Sequence, residues 1–426
     1  MKKVLALTGF AALALVAAPA SAQSVKVGGD IQVWYNQVLD SNLRTNSELS
    51  SPYKYYNLRS EFKEDGFTIR RAEIKVSGEV VEGLEFETML DPSIKTDPAA
   101  EPMILQDAFL NWKAFGGFAL RAGQMKTLQT YEGNISSTEL LFAERSQLGR
   151  VFGDKRDRGV YASYTLGDPK DFSGKVTAGF FNGMTDTAAK GKTTDVNAQK
   201  DFVLRADFVV EKVHKFGAYT LQASTDQADK GTSATTTLYA STFGTASATN
   251  VPPSAAEVLD NKDKTSNLGV YYVFQNDTWH ASFEYITGLL GRRFASVNNT
   301  NATTAAGRQH LDQKFAGFYL TGGYTFGNHS LVARYDSMNY NSGDQWYTTY
   351  NPYTSTSAGA AQIPDYTPKY TETTLGYTYA WVPAKVKSAN FKLNYIIRSK
   401  NFLKPYLTQT TEQGGNNIVA AFQVAF

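Results

Sequence analysis

The charged residues of this 426-residue chain recur at a spacing of two. Arg71, Glu73 and Lys75 alternate with Ala72 and Ile74; Glu85 and Glu87 flank Phe86; Asp107, Asn111 and Lys113 interleave with Ala108, Leu110 and Trp112. Arg121, Arg205, Asp207, Glu284, Arg334, Asp336, Glu372, Lys392 and Arg398 sit in similar surroundings. Residues two apart share one face of a β-strand, so each run presents an ionic face and an apolar one. Acids and bases are mixed, which suits a wetted wall with cross-strand pairing more than a carboxylate pair set for acid–base work. Histidine adds little: none of His214, His280, His310 and His329 has an obvious serine or aspartate partner, so no hydrolytic triad is expected. Cysteine is absent, which excludes disulfides and thiolate metal sites, and no cofactor, metal or phosphate-loop motif is present. No cofactor and no enzymatic activity are expected.

Sixteen alternating segments carry these faces, with large apolar residues taken as the outward set. They begin with Ile31, Val33, Tyr35, then Ile74, Val76, Val80, then Leu84, Phe86, Leu90, and reach Phe118, Leu120, Ala122 at the fifth. Val160–Leu166, Val176–Phe180 and Phe202–Val210 follow, and the ninth places Tyr219, Leu221 and Ala223 outward. Segments near 268–274, 279–285, 318–326, 331–335, 375–381 and 391–397 lead to the last, with Ile418, Ala420, Phe422, Val424 and Phe426 on one face. Short connections such as 81–83, 114–117, 167–171 and 326–329 alternate with long ones near 39–65, 126–155, 227–263 and 341–369. Short turns at one end, long loops at the other and an even strand count are the marks of a transmembrane barrel. The fold expected is all-β: a 16-stranded antiparallel transmembrane β-barrel with short periplasmic turns and long external loops. An open sheet would leave unpaired backbone in hydrocarbon at several kcal/mol per group, and closure removes that edge. Aromatics at 13% agree with strands, and Tyr35, Trp112, Tyr164, Tyr324 and Trp381 fit interfacial girdles.

Lys2 and Lys3, an apolar run from Val4 to Ala18, and Ala20-Ser21-Ala22 read as a signal peptide over 1–22, leaving 23–426 as a single barrel. Its removal leaves 40 bases against 40 acids, so no net charge argues for nucleic acid as a partner. A barrel of this size holds water. The connection 126–155 is unlike a turn. Ser137 is expected to cap a short helix continuing through Glu139, Leu140, Leu141 and Phe142, whose apolar groups need the inner wall for burial. This third long loop is expected to fold inward and constrict the pore. It would bring Lys126, Glu144, Arg145, Arg150, Arg156 and Arg158 towards Arg71, Lys75 and Arg121. Residues 126–158 carry six bases and five acids, a thin margin towards anions.

The blocks Ile69-Arg-Arg-Ala-Glu-Ile-Lys-Val-Ser-Gly, Leu105-Gln-Asp-Ala-Phe-Leu-Asn-Trp, Leu120-Arg-Ala-Gly-Gln-Met-Lys, Phe142-Ala-Glu-Arg-Ser, Arg156-Asp-Arg-Gly-Val and Phe180-Phe-Asn-Gly resemble the porin O and P (phosphate-selective porin) family. The final strand, ending on Phe426, also resembles that of bacterial outer-membrane porins, where a terminal aromatic is the assembly signal. The resemblance implies a homotrimeric diffusion channel in the outer-membrane lipid bilayer, inserted by the barrel-assembly machinery and passing small hydrophilic solutes or anions. Acids interleave with the bases, so the channel is carried over and the phosphate is not. A structural or adhesive barrel without transport is the alternative.

Overall fold

A computed structural model describes residues 25–39, 65–93, 104–183, 200–225, 263–290, 295–296, 309–310, 313–340, 342, 369–382, 388–399 and 416–426. The segment 1–22 and most of the long connections other than 126–155 lie outside the described residues.

The strands are β1 (Val25–Val38), β2 (Gly66–Val81), β3 (Leu84–Leu90), β4 (Leu105–Phe115), β5 (Phe118–Lys126), β6 (Arg156–Asp168), β7 (Phe172–Phe181), β8 (Asp201–Val210) and β9 (His214–Thr225). They continue as β10 (Asp263–Gln275), β11 (Trp279–Leu290), β12 (Ala295–Ser296), β13 (Gln309–His310), β14 (Gln313–Phe326), β15 (His329–Asn339), β16 (Lys369–Ala380), β17 (Ala389–Arg398) and β18 (Asn417–Ala425). β12 and β13 pair only with each other. The other sixteen form one closed antiparallel barrel in chain order, sealed where β1 meets β18. At that seam Gly29 N–H donates to Phe426 O and Phe426 N–H to Gly29 O, both at 3.0 Å. Gly29 has no room for a Cβ, which would run into the Glu73 carbonyl oxygen of the neighbouring strand.

The expected alternation holds over most of the wall. Ile31, Leu110, Val160, Leu320, Leu375 and Phe422 are exposed on the outside, whereas Asp107, Arg205, Glu284, Arg334, Glu372 and Lys392 are buried on the inside. β9 is the exception. Tyr219 and Leu221 face inward and are buried, while Phe216, Ala218, Thr220 and Gln222 face outward. Register fixes this: Ala218 pairs with outward Val270 and Thr220 with outward Leu268. Large apolar residues can face in here because the lumen has an apolar core of its own. Leu148 and Phe152 of the third loop pack with Tyr219, Ile286, Phe315, Tyr319, Met338, Tyr340 and Tyr370 of the inner wall. Burying each such side chain is worth about 1.5–3 kcal/mol.

A second departure lies in β2. Gln32 pairs with Arg71 and Val33 with Ile69, so Arg70 falls in a β-bulge. The extra residue lets two consecutive arginines reach the interior, where both meet Glu144.

Candidate functional site

The loop between β5 and β6 crosses the lumen and is fastened to nearly every side of it. Thr127 N–H donates to Lys155 O at 3.1 Å, closing its base. A single helical turn, Tyr131–Asn134, is capped by Thr130 Oγ1, which accepts from Gly133 N–H. This turn lies directly on a π-turn, Gly149–Gly153; a side chain at Gly153 would collide with Thr130 Oγ1. Leu128 and Thr130 have positive φ (63° and 56°), and Arg205 Nη1 donates to the carbonyl oxygens of both, at 3.1 and 2.9 Å. The cap of the second turn is Ser136, not Ser137: Ser136 Oγ accepts from Thr138 N–H, and the turn is a 3-10 helix over Ser137–Glu139. It stops before Leu140, which is extended, because wall groups take over the backbone there. Lys392 Nζ donates to Leu140 O at 2.7 Å, and Ala143 N–H to Asn394 Oδ1 at 2.7 Å. Tyr131 N–H donates to Glu284, Gln147 N–H to Asp336, and Arg205 and Arg334 reach further loop carbonyls. Phe142 is buried as expected, under the Arg334 guanidinium at 4.6 Å.

These fastenings press the loop against β8–β18 and leave open space beside β2–β6. A cavity of about 350 Å³ is lined from the wall by Arg71, Lys75, Asp107 and Arg121, and from the loop by Asn134, Ser137, Arg145 and Asp154. A second cavity, about 540 Å³, opens towards the short turn Phe115–Gly117 and shares Arg121 and Tyr161 with the first. Arg121 stands where the two meet. Its guanidinium lies 4.0 Å from the Phe109 ring centroid and 5.4 Å from that of Tyr161.

The sequence-predicted bases divide accordingly. Arg71, Lys75, Arg121, Lys126, Arg145 and Arg156 line the first cavity together. Glu144 instead anchors the loop to Arg70 at 2.6 Å and Arg71 at 3.5 Å. Arg150 points to the opposite wall, 3.0 Å from the buried Glu372, which also meets Arg398 at 2.9 Å. Arg158 is paired with Gln124, to which it donates at 3.3 Å, and is not part of that lining. Sequence reasoning missed Arg70, whose bulge breaks the period of two, and Asp154 as the cavity's shared counter-ion. Asp154 lies 3.5 Å from Lys126 and 3.6 Å from both Arg145 and Arg156. Burial alone would raise its carboxyl, but these cations outweigh it and hold the group down at about 2. Two donors of Arg145, Nε and Nη1, and the Ser137 hydroxyl are buried without a hydrogen-bond partner among the described residues. Cavity-lining residues carry six bases (Arg71, Lys75, Arg121, Lys126, Arg145, Arg156) and four acids (Glu73, Glu87, Asp107, Asp154), an excess of two.

Among the described residues, His214, His280 and His329 build no reaction centre. His214 Nδ1 and His329 Nδ1 pair with the outward hydroxyls of Tyr272 and Tyr377 at 2.8 and 2.7 Å. His280 does have a serine partner, Ser282 at 3.1 Å, but its Nδ1 meets no orienting group among the described residues. His310 lies in the small β12–β13 ribbon, outside the residues whose side chains are described.

Solved structures with the same fold include the outer membrane channel DcaP of Acinetobacter baumannii, at TM-score 0.55 and 13% identity over 95% of this chain and 97% of that one. OmpT of Vibrio cholerae, folded in vitro and in its trimer form, matches at 0.51 and 13% over 95% and 100%. The anion-selective porin from Comamonas acidovorans matches at 0.50 and 11% over 95% and 100%. A search of curated protein sequences gave no match. The profile of phosphate-selective porin O and P matches residues 44–399. That match runs through the cavity-lining strands and the third loop alike, and the chain belongs to the phosphate-selective porin O and P family.

Proposed function

We propose that this outer-membrane porin channel, which is not an enzyme, passes small hydrophilic solutes by diffusion with a mild preference for anions. The route runs between the third loop and β2–β6, with Arg121 at its waist. The observation that carries this reading is the excess of two bases at the first cavity, which remains although Asp154 pairs with Lys126, Arg145 and Arg156, Asp107 with Arg156 and Glu87 with Lys75. Fixed charges within a Debye length of a passing ion, about 8–10 Å at physiological salt, act on it despite a neutral total. Guanidinium keeps its charge at every working pH. An anion-selective porin among the structures of like fold is in keeping with this. Export by a cleaved segment 1–22, recognition of Phe426 by the assembly machinery, and a homotrimeric state, as in the trimer form of OmpT, belong to the same proposal. The test is the reversal potential of single channels in unequal KCl. An anion-sign potential that shrinks in Arg121→Glu and at high salt is expected; a cation-sign potential in the wild type would refute the preference and leave the channel standing.

A further inference from the structure

We infer that the solutes this route holds best are small organic carboxylates with an apolar body, rather than inorganic phosphate. The inference rests on the anion reading above and concerns the other half of the lining. Besides the cations, the first cavity is lined by Met89, Phe109, Met125, Leu128 and Tyr161, which sit among the charges: Met89 pairs with Lys75 and Asp107, and Tyr161 with Arg121. Met125 and Tyr161 belong to one apolar cluster with Phe181, Val203 and Leu221, and Phe109 and Leu128 pack against it.

A hydrated phosphate gains nothing from such a wall, because its oxygens must give up water for surfaces that cannot hydrogen-bond. A carboxylate carrying a ring or short chain uses both kinds of group at once. Arg121 brings them together: its guanidinium lies over Phe109 and Tyr161, and Leu128 belongs to the same lining. Arg145 and Ser137, with buried donors still without partners, stand across the same cavity.

The experiment is block of single-channel chloride current by benzoate, acetate and inorganic phosphate. Benzoate is expected to half-block at roughly a tenth of the acetate concentration, the ratio given by withdrawing about 55 Å² of ring from water at about 25 cal/mol per Å². Phosphate is expected to block less well than benzoate. Leu128→Asn removes apolar surface, yet asparagine tolerates the left-handed backbone held there. It should raise the half-blocking concentration of benzoate several-fold and leave acetate unchanged, whereas Arg121→Gln should raise both. Equal block by benzoate and acetate, or strongest block by phosphate, overturns the inference in wild-type protein, whatever the variants do. So does a Leu128→Asn effect shared by both carboxylates. If these occur with an anion-sign reversal potential, the anion reading survives and only the solute class falls.

Discussion

Replacing Glu372 with glutamine should weaken the barrel far more than replacing Glu85, although the Glu85 ion pair is the shorter. Glu85 meets Lys113 at 2.5 Å, but the two side chains are 36% and 61% exposed. Glu372 has no exposed side-chain surface and faces Arg398 at 2.9 Å, Arg150 at 3.0 Å and Arg334 at 3.7 Å. With an effective dielectric of about 20, each of those three attractions amounts to about 5 kcal/mol before desolvation is subtracted. Glutamine keeps the shape and leaves the buried guanidiniums of Arg334 and Arg398 and the half-buried one of Arg150 with Asp336 and Glu132 as nearby acids, 2.8 and 3.4 Å from Arg334. Removing one partner of a buried ionic cluster costs about 3–5 kcal/mol. An exposed pair is worth about 0–1 kcal/mol, since water screens it. The assay is denaturant unfolding of each variant in lipid vesicles, followed by tryptophan fluorescence. Because Arg150 ties the third loop to this cluster, Glu372→Gln should also make the open-channel current noisier. A cost below about 1 kcal/mol for Glu372→Gln, or one equal to that of Glu85→Gln, would refute the reasoning that burial decides.

Deleting Phe426 removes the reciprocal hydrogen bonds to Gly29 at the seam, and a charged tail added to it carries charge past that seam; either should lower the yield of folded, heat-modifiable barrel, and normal yields would count against that role. Deleting Asn134–Ser146 takes out the loop residues that line the first cavity from Asn134 to Arg145 and should raise single-channel conductance, unless the route does not pass there. Asp154 is held down at about 2, so its stabilising effect is complete above the ordinary carboxylate range and fades as pH falls towards 2. The stability gap between wild type and Asp154→Asn should therefore be constant from about pH 8 to pH 5 and close below about pH 4; a gap that closes near neutrality would contradict the shared counter-ion.

Strand count, barrel closure and the ionic interior were legible because all three follow from a period of two and from loop lengths. Tyr219 and Leu221 were misplaced because the rule that large apolar groups face lipid assumes a wet lumen throughout. The third loop makes one side of the lumen dry, and nothing local in β9 announces what it will pack against. Arg70 was hidden for a related reason: a bulge shifts the phase by one residue, and Ile69-Arg70-Arg71-Ala72 reads as either phase until Gln32 and Val33 fix the register. The six cavity bases were among the residues expected there, but Arg150 and Arg158 were grouped with them by closeness in sequence. The direction of Arg150 depends on Glu372, more than two hundred residues away, and that of Arg158 on Gln124 of the neighbouring strand. The turn begins one residue earlier than expected, with Ser136 as its cap, and it stays short because Lys392 and Asn394 on the wall take the backbone groups of Leu140 and Ala143.

The central claim is that solutes cross beside β2–β6 while the loop seals the side of β8–β18. The chain has no cysteine, so single cysteines report cleanly. Lys75 lines the first cavity, and Thr374, 1% exposed, faces inward on the opposite side. Applying a charged methanethiosulfonate to open channels should step the current down in Lys75→Cys and leave Thr374→Cys unchanged. Modification of Thr374→Cys with no effect in Lys75→Cys would contradict the account.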